Sequence, residues 1–263
     1  MSPFAAWIFT ILIAIASPEK RDEYQKQLLH PSVSEAMRAR VGLPHSRETK
    51  EEGEARYREI AIHLDEVLST EKPLFGGKNG RAWTAFTMLS VMKGESGLRL
   101  DVDKGTGKWG RGDFGRSFCN MQLQMSGKRG EGTVQIAHPE MGTWTGLDVL
   151  ADRKKCLRAG LEILRRSLGA CQTGMNAAGE IVPLTMADRF SAYTKGKCLE
   201  NEPESRKKWS YASRLFDRFS KSFPAQPAPA PAPAPAQKPP PPPAVPAPPP
   251  GGKQEHFAYQ RSP

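Results

Sequence analysis

Cysteine is scarce in this chain. There are four residues, Cys119, Cys156, Cys171 and Cys198, and no two of them stand two to four positions apart. Zinc sites pair their ligands at that short spacing, so no metal centre is assigned. Alternation of apolar and polar residues never lasts more than a few positions, which excludes a large sheet. No run of five or six consecutive basic residues occurs, so nucleic acid is not singled out as a partner. No Lys or Arg precedes the apolar run from Pro3 to Ser17, and no Cys closely follows it. The first absence removes the positive leader of an ordinary signal peptide, and the second gives no support to a lipoprotein anchor.

The apolar run itself is PFAAWIFTILIAIAS. About fifteen residues is short for a membrane span and suits the core of a signal peptide. Ala14-Ile15-Ala16 offers an A-x-A cleavage site. Residues 1–16 are therefore expected to be a signal peptide or, uncleaved, an N-terminal anchor engaging the membrane; a buried core helix ranks third. Export would make two disulfides the natural state of the cysteines, and a cytosolic chain would keep four free thiols. Cys156 and Cys171 bracket one predicted helix, which would hold them roughly 22 Å apart, beyond bridging distance. That leaves 119–156 with 171–198, the preferred pairing, or 119–171 with 156–198.

The formal net charge is +10 over 263 residues. The tail beyond Ala225 holds Lys238, Lys253 and Arg261 against Glu255, so most of the excess lies on the globular part. A basic surface suits a polyanion such as nucleic acid, anionic lipid or an acidic wall polymer, and it also serves solubility. Residues 17–53 are polar and charged, a linker or peripheral helices. From Pro224 to Pro250 the chain is Pro-Ala repeats and then polyproline, a disordered, extended spacer reaching about 80 Å at 3.1 Å per residue. Residues 251–263 form a C-terminal tail, and nothing identifies the partner of the Pro-rich segment.

The globular part, 54–223, reads as mainly α. Glu54–Leu68 sets Tyr57, Ile60, Ala61, Leu64 and Val67 on one helical face. Trp83, Phe86 and Leu89 recur at helical spacing before Gly94-Glu95-Ser96-Gly97. Leu157, Leu161, Leu164 and Leu168 line a helix from Asp148 that Gly169 ends; Met186–Tyr193 and Ser205–Phe219 read likewise. Leu98–Gly146 is glycine-rich and aperiodic, with the composition of long loops walling a cleft and room for a small hairpin.

Glu95 is the candidate for chemistry. A carboxyl group at the mouth of a buried helix suits a general acid, because an apolar surround disfavours the charged form. Two later segments follow it: Gly115-Arg116-Ser117-Phe118-Cys119-Asn120-Met121-Gln122-Leu123-Gln124, and Ser191-Ala192-Tyr193-Thr194-Lys195-Gly196. In order, E-S, then G-x-S-x-x-x-M-Q-L, then A-Y-x-x-G resembles the soluble lytic transglycosylase group of the lysozyme-like superfamily, whose signatures are E-S, G-L-M-Q and A-Y-N-A-G. The resemblance runs from Trp83 to Phe219, about half the chain.

What the resemblance implies is a mainly α, lysozyme-like domain with long glycine-rich cleft loops. The implied activity is cleavage of peptidoglycan glycan strands between N-acetylmuramic acid and N-acetylglucosamine, without a cofactor, in an exported protein of the periplasm or cell envelope. Glu95 is then the single acid/base, and the substrate's own N-acetyl group replaces a second carboxylate. Ser96 holds substrate or braces the Glu95 helix, Met121 walls the groove, Gln122 meets a sugar amide, and Tyr193 orients the catalytic carboxyl. The chain departs from the family at Cys119-Asn120, where Gly-Leu is usual, and at Thr194-Lys195, where Asn-Ala is usual. A glycine-rich insertion lies between Glu95 and Met121. It carries Asp101, Asp103 and Asp113, any of which as a second carboxylate would make the enzyme a goose-type-lysozyme-like hydrolase. Further alternatives are a non-catalytic wall-binding protein and a thiol hydrolase built on Cys119 and His138.

Overall fold

Two apolar helices meet face to face before any functional segment is reached. Helix α1 (Pro3–Ala16) lies on α2 (Lys50–Thr70) and touches α3 (Gly80–Ser96). Apolar side chains surround α1, and it buries Phe4, Trp7, Ile8, Ile11, Leu12 and Ile15. Trp7 stacks on Phe4 with ring centroids 5.4 Å apart and meets Phe86 edge-on at 5.0 Å. Its indole N–H donates to Ser222 Oγ at 3.2 Å, and the Tyr57 hydroxyl donates to the Ala16 carbonyl at 2.6 Å. Residues 3–16, expected as a leader or anchor, form a helix packed against α2 and α3 in this structure. The physical reason is that α2 and α3 offer an apolar wall that the run covers. No helix among the described residues is long and apolar enough to cross a membrane.

This computed structural model describes residues 1–16, 48–106 and 110–224, within one compact unit, Met1–Pro224. Most of the polar segment 17–53, the polyproline spacer and the C-terminal tail lie outside the described residues.

Helix α2 begins earlier than its apolar face. The Thr49 hydroxyl accepts from Glu52 N–H at 3.1 Å, and the Glu52 carboxylate accepts from Thr49 N–H at 2.7 Å, a capping box. The face it buries is the one read from periodicity: Tyr57, Ile60, Ala61, Leu64, Val67 and Leu68. Helix α3 is the centre of the fold, with every residue from Thr84 to Met92 buried. A helix apolar on all sides is a core helix; α1 and α2 cover part of it, and α8 (Pro203–Phe219) covers another part. Between α3 and α8, Trp83 stacks on Phe216 at 4.1 Å and on Trp209 at 5.4 Å.

After a short α4 (Leu100–Lys104), the glycine-rich stretch folds into a hairpin of β1 (Ser117–Phe118) and β2 (Leu123–Gln124), in register Ser117 with Gln124 and Phe118 with Leu123. Gly146 has no room for a side chain, since a Cβ there would stand 2.4 Å from the Phe118 ring. The helix expected from Asp148 to Leu168 is two: α5 (Gly146–Ala151) and α6 (Arg153–Ala170). Asp152 divides them because its carboxylate caps α6 by accepting from Lys154 N–H at 2.8 Å. Gly169 does not end α6, which runs to Ala170 and buries Leu157, Leu161, Leu164 and Leu168. A second hairpin, β3 (Thr173–Met175) with β4 (Ile181–Pro183), escaped the periodicity. Its signal is turn chemistry: Asn176 Oδ1 accepts from the N–H groups of Ala178 and Glu180, both at 2.9 Å. Helix α7 (Ser191–Lys195) precedes α8.

Two disulfides are present, Cys119–Cys156 and Cys171–Cys198, the preferred of the two pairings, and no described cysteine is free. The first ties the β1–β2 turn to α6, and the second ties the end of α6 to the segment after α7. Disulfides persist in oxidising, extracytoplasmic environments.

Candidate active site

Glu95 stands in the last turn of α3, which closes at Gly97 in the left-handed region (φ 61°) with its N–H on the Lys93 carbonyl at 3.1 Å. Ser96 is turned inward. Its hydroxyl donates to the Met92 carbonyl at 2.6 Å and accepts from Leu98 N–H at 3.0 Å. It braces the helix end, the second of the two roles considered for it, and offers no atom to a ligand. The Glu95 side chain is 24% exposed and meets a cation, with Lys208 Nζ of α8 3.2 Å from Glu95 Oε1, where the sequence reading expected an apolar surround.

Tyr193 joins the two remaining segments. Its hydroxyl donates to the Met121 carbonyl at 2.5 Å, and its own N–H is held by Ser167 Oγ of α6 at 3.2 Å. Burial, and then the negative charge of Glu95, push the phenol well above the ordinary tyrosine range. Tyr193 therefore stays a hydroxyl donor at neutral pH, close enough to Glu95 to feel its charge, with its hydrogen bond directed to the backbone beside Gln122. The hydrogen bond thus joins Tyr193 to the 121–122 turn and is not made to the Glu95 carboxyl that the phenol was expected to orient.

The turn itself is unusual. Cys119 (φ 58°) and Gln122 (φ 49°) both occupy the left-handed region, which non-glycine residues enter at a cost of roughly 1–2 kcal/mol. Gln122 N–H bonds back to the Cys119 carbonyl at 2.9 Å, and its side-chain amide donates to the same oxygen at 3.0 Å. Its Oε1 points at Gly112, where a Cβ would come within 2.2 Å. Cys119 is held in this turn by its disulfide to Cys156. Met121 is fully buried, with Gly160 of α6 left bare to admit it, since a Cβ would stand 2.6 Å from Met121 Cε. The side chain is core; the carbonyl is what Tyr193 uses.

No protein-family model matches the chain, and no curated protein or solved structure matches it significantly.

The insertion acids are engaged elsewhere. Asp101 is buried and ion-paired with Arg99. Asp103 accepts from Arg153 at 2.8 Å and from the Asn120 amide at 2.7 Å, with Arg56 at 3.7 Å. Asp113 accepts from the Ser117 hydroxyl at 2.6 Å. The thiol-hydrolase alternative is excluded: Cys119 is oxidised to a disulfide, and His138 Nδ1 accepts from the N–H groups of Glu140 and Met141 as part of a turn. Among the described residues no group of three or more His, Cys, Asp or Glu side chains forms a metal cluster.

Among the cavities that border the described residues, one is walled by Glu59, His63, Asp103, Arg153 and the Cys119–Cys156 bridge, and another by Leu74, Phe75, Arg165, Met186 and Arg189. Neither includes Glu95, Gln122 or Tyr193.

Sequence reasoning missed Lys208. The buried residues of α8 are Ser205, Lys208, Ala212 and Leu215, at helical spacing. A lysine on the inward stripe of an amphipathic helix needs a carboxylate opposite it, and that was the available signal.

Proposed function

We propose that the chain is a lysozyme-like peptidoglycan lytic transglycosylase acting through Glu95. The reading is supported by the Tyr193 hydroxyl, which bonds the backbone at Met121 beside Gln122. It joins two of the three segments whose order resembles the family. In this scheme Glu95 gives its proton to the glycosidic oxygen between N-acetylmuramic acid and N-acetylglucosamine. The substrate's N-acetyl oxygen stabilises the sugar cation at C1, and the leaving sugar departs with the transferred proton. Glu95 then takes the proton of the 6-hydroxyl as that oxygen closes on C1, giving a 1,6-anhydro end. Tyr193 fixes the depth of the 121–122 turn relative to Glu95. Asp101 and Asp103 are buried on arginine partners, which favours this single-carboxylate scheme over water attack assisted by either of them.

An exported location, in the periplasm or cell envelope, fits the two disulfides and the glycan substrate, and the basic surface suits an acidic wall. Lysis of purified peptidoglycan by Glu95→Gln beside the parent tests the reading. A general acid contributes about 10²- to 10⁴-fold, and a loss of that size is expected. Undiminished lysis by the variant overturns the enzyme and leaves a wall-binding protein. Mass analysis of the parent's products should give sugar ends lighter by one water than hydrolysed ends; hydrated ends would replace transglycosylation with hydrolysis.

A further inference from the structure

We infer that Lys208 is a positioning residue for Glu95, and that Gly94 is glycine so that Lys208 can reach it. The inference rests on the assignment of Glu95 as the acid/base and adds a group that the resemblance to the family does not supply. Lys208 lies on the inward stripe of α8 with its side chain only 8% exposed. A cation removed from water in this way needs a fixed anion. Its backbone carbonyl is pinned by the Ser90 hydroxyl of α3, which donates at 2.5 Å. From there the side chain runs along α3 toward the helix end. A Cβ on Gly94 would stand 3.2 Å from Lys208 Cε, 3.5 Å from Cγ and 3.8 Å from Cδ, so the methylenes lie against the bare backbone at that residue. The ammonium then meets Glu95 Oε1 at 3.2 Å.

The consequence is geometric. One carboxylate oxygen of Glu95 is tethered to a lysine held at both ends, so the carboxyl plane is set from the α8 side and the second oxygen remains for substrate. Catalytic groups placed within a fraction of an ångström account for large rate factors, and a displacement of about 1 Å costs on the order of 10²-fold. Lys208 acts through Glu95, whose Oε1 it contacts.

The test compares four full-length variants, Lys208→Met, Lys208→Arg, Gly94→Ala and Glu95→Gln, by steady-state lysis of purified peptidoglycan and by thermal unfolding. Lys208→Met should lower kcat about 10- to 100-fold with KM within about twofold, because binding is left intact and orientation is lost. Lys208→Arg keeps the charge and should recover at least part of kcat. Gly94→Ala gains helix propensity of about 1 kcal/mol but sets a Cβ 3.2 Å from Lys208 Cε, so it should stay folded while turning over more slowly. A folded Lys208→Met with parental kcat, beside an inactive Glu95→Gln, overturns the inference and leaves the glycosidase reading standing. An active Glu95→Gln overturns that reading instead, and the role of Lys208 with it. Should Lys208→Met not fold, Gly94→Ala decides: parental turnover overturns the inference, and reduced turnover in a stable protein supports it.

Discussion

Asp103→Asn removes one charge from a cluster that has little water to replace it. Asp103 is 4% exposed at its side chain, Arg56 is 5% exposed and Arg153 is 14% exposed. Arg153 donates to Asp103 at 2.8 Å, Asn120 donates to it at 2.7 Å, and Arg56 stands 3.7 Å away. Breaking a buried pair by removing one partner costs about 3–5 kcal/mol, because the remaining charge is stranded. Here two features reduce that figure. Arg56 keeps Glu48 at 2.6 Å, and Arg153 keeps Glu59 at 3.1 Å. An expected loss of about 2–4 kcal/mol follows. For a domain of this size each kcal/mol moves the unfolding midpoint by about 2–4 °C, so Tm should fall by about 5–15 °C. Calorimetry or circular dichroism under non-reducing conditions measures it, with both disulfides retained. A midpoint within about 2 °C of the parent would refute the stranded-charge reasoning. Wall lysis measured well below both midpoints should be unchanged per folded molecule, because Asp103 holds α4 against α2 and α6 and is not a second catalytic acid. Lost lysis in a stably folded variant would return Asp103 to the catalytic alternatives.

Asp188 is held below the ordinary carboxylate range, chiefly by the Arg206 guanidinium that donates to both its oxygens and also by the Thr185 hydroxyl. A folded value below the unfolded one of about 3.9 gives stability that is fully present above that pH and is lost as pH falls toward the folded value. Asp188→Asn should therefore lower stability at pH 7 and lower it by less as pH falls below about 3.9, and urea titrations across that range check it; an equal loss at every pH would contradict the linkage. Deletion of residues 1–16 should expose Tyr57 and Phe86 and abolish cooperative unfolding, since α1 buries six large apolar side chains worth roughly 1.5–3 kcal/mol each. A truncated chain that melts like the parent would show that α1 is dispensable to the core.

Much of the helical framework was legible because periodicity reports burial directly. Tyr57, Ile60 and Leu64 mark one face of α2, and Leu157, Leu161 and Leu164 mark one face of α6, wherever those helices end up. Boundaries were less legible. Asp152 looks like any surface acid until its carboxylate is seen on the Lys154 amide, and the β3–β4 hairpin has too few residues for alternation to register. The candidate site was legible as a list of residue types and not as contacts. Nothing in the string separates Ser96 as a helix brace from Ser96 as a ligand contact, or Met121 as core from Met121 as a groove wall, because each pair of roles uses the same side chain.

By itself, the sequence determined the mainly helical character of the chain, the apolar faces, and the oxidation of four cysteines once export was granted. These depend on local spacing and composition. Tertiary structure alone decided that residues 3–16 pack inside, that Cys119 bridges to Cys156, and that Lys208 lies over Gly94 onto Glu95. Each of those joins residues far apart in the chain, and such contacts depend on which surfaces the helices find when they close on one another.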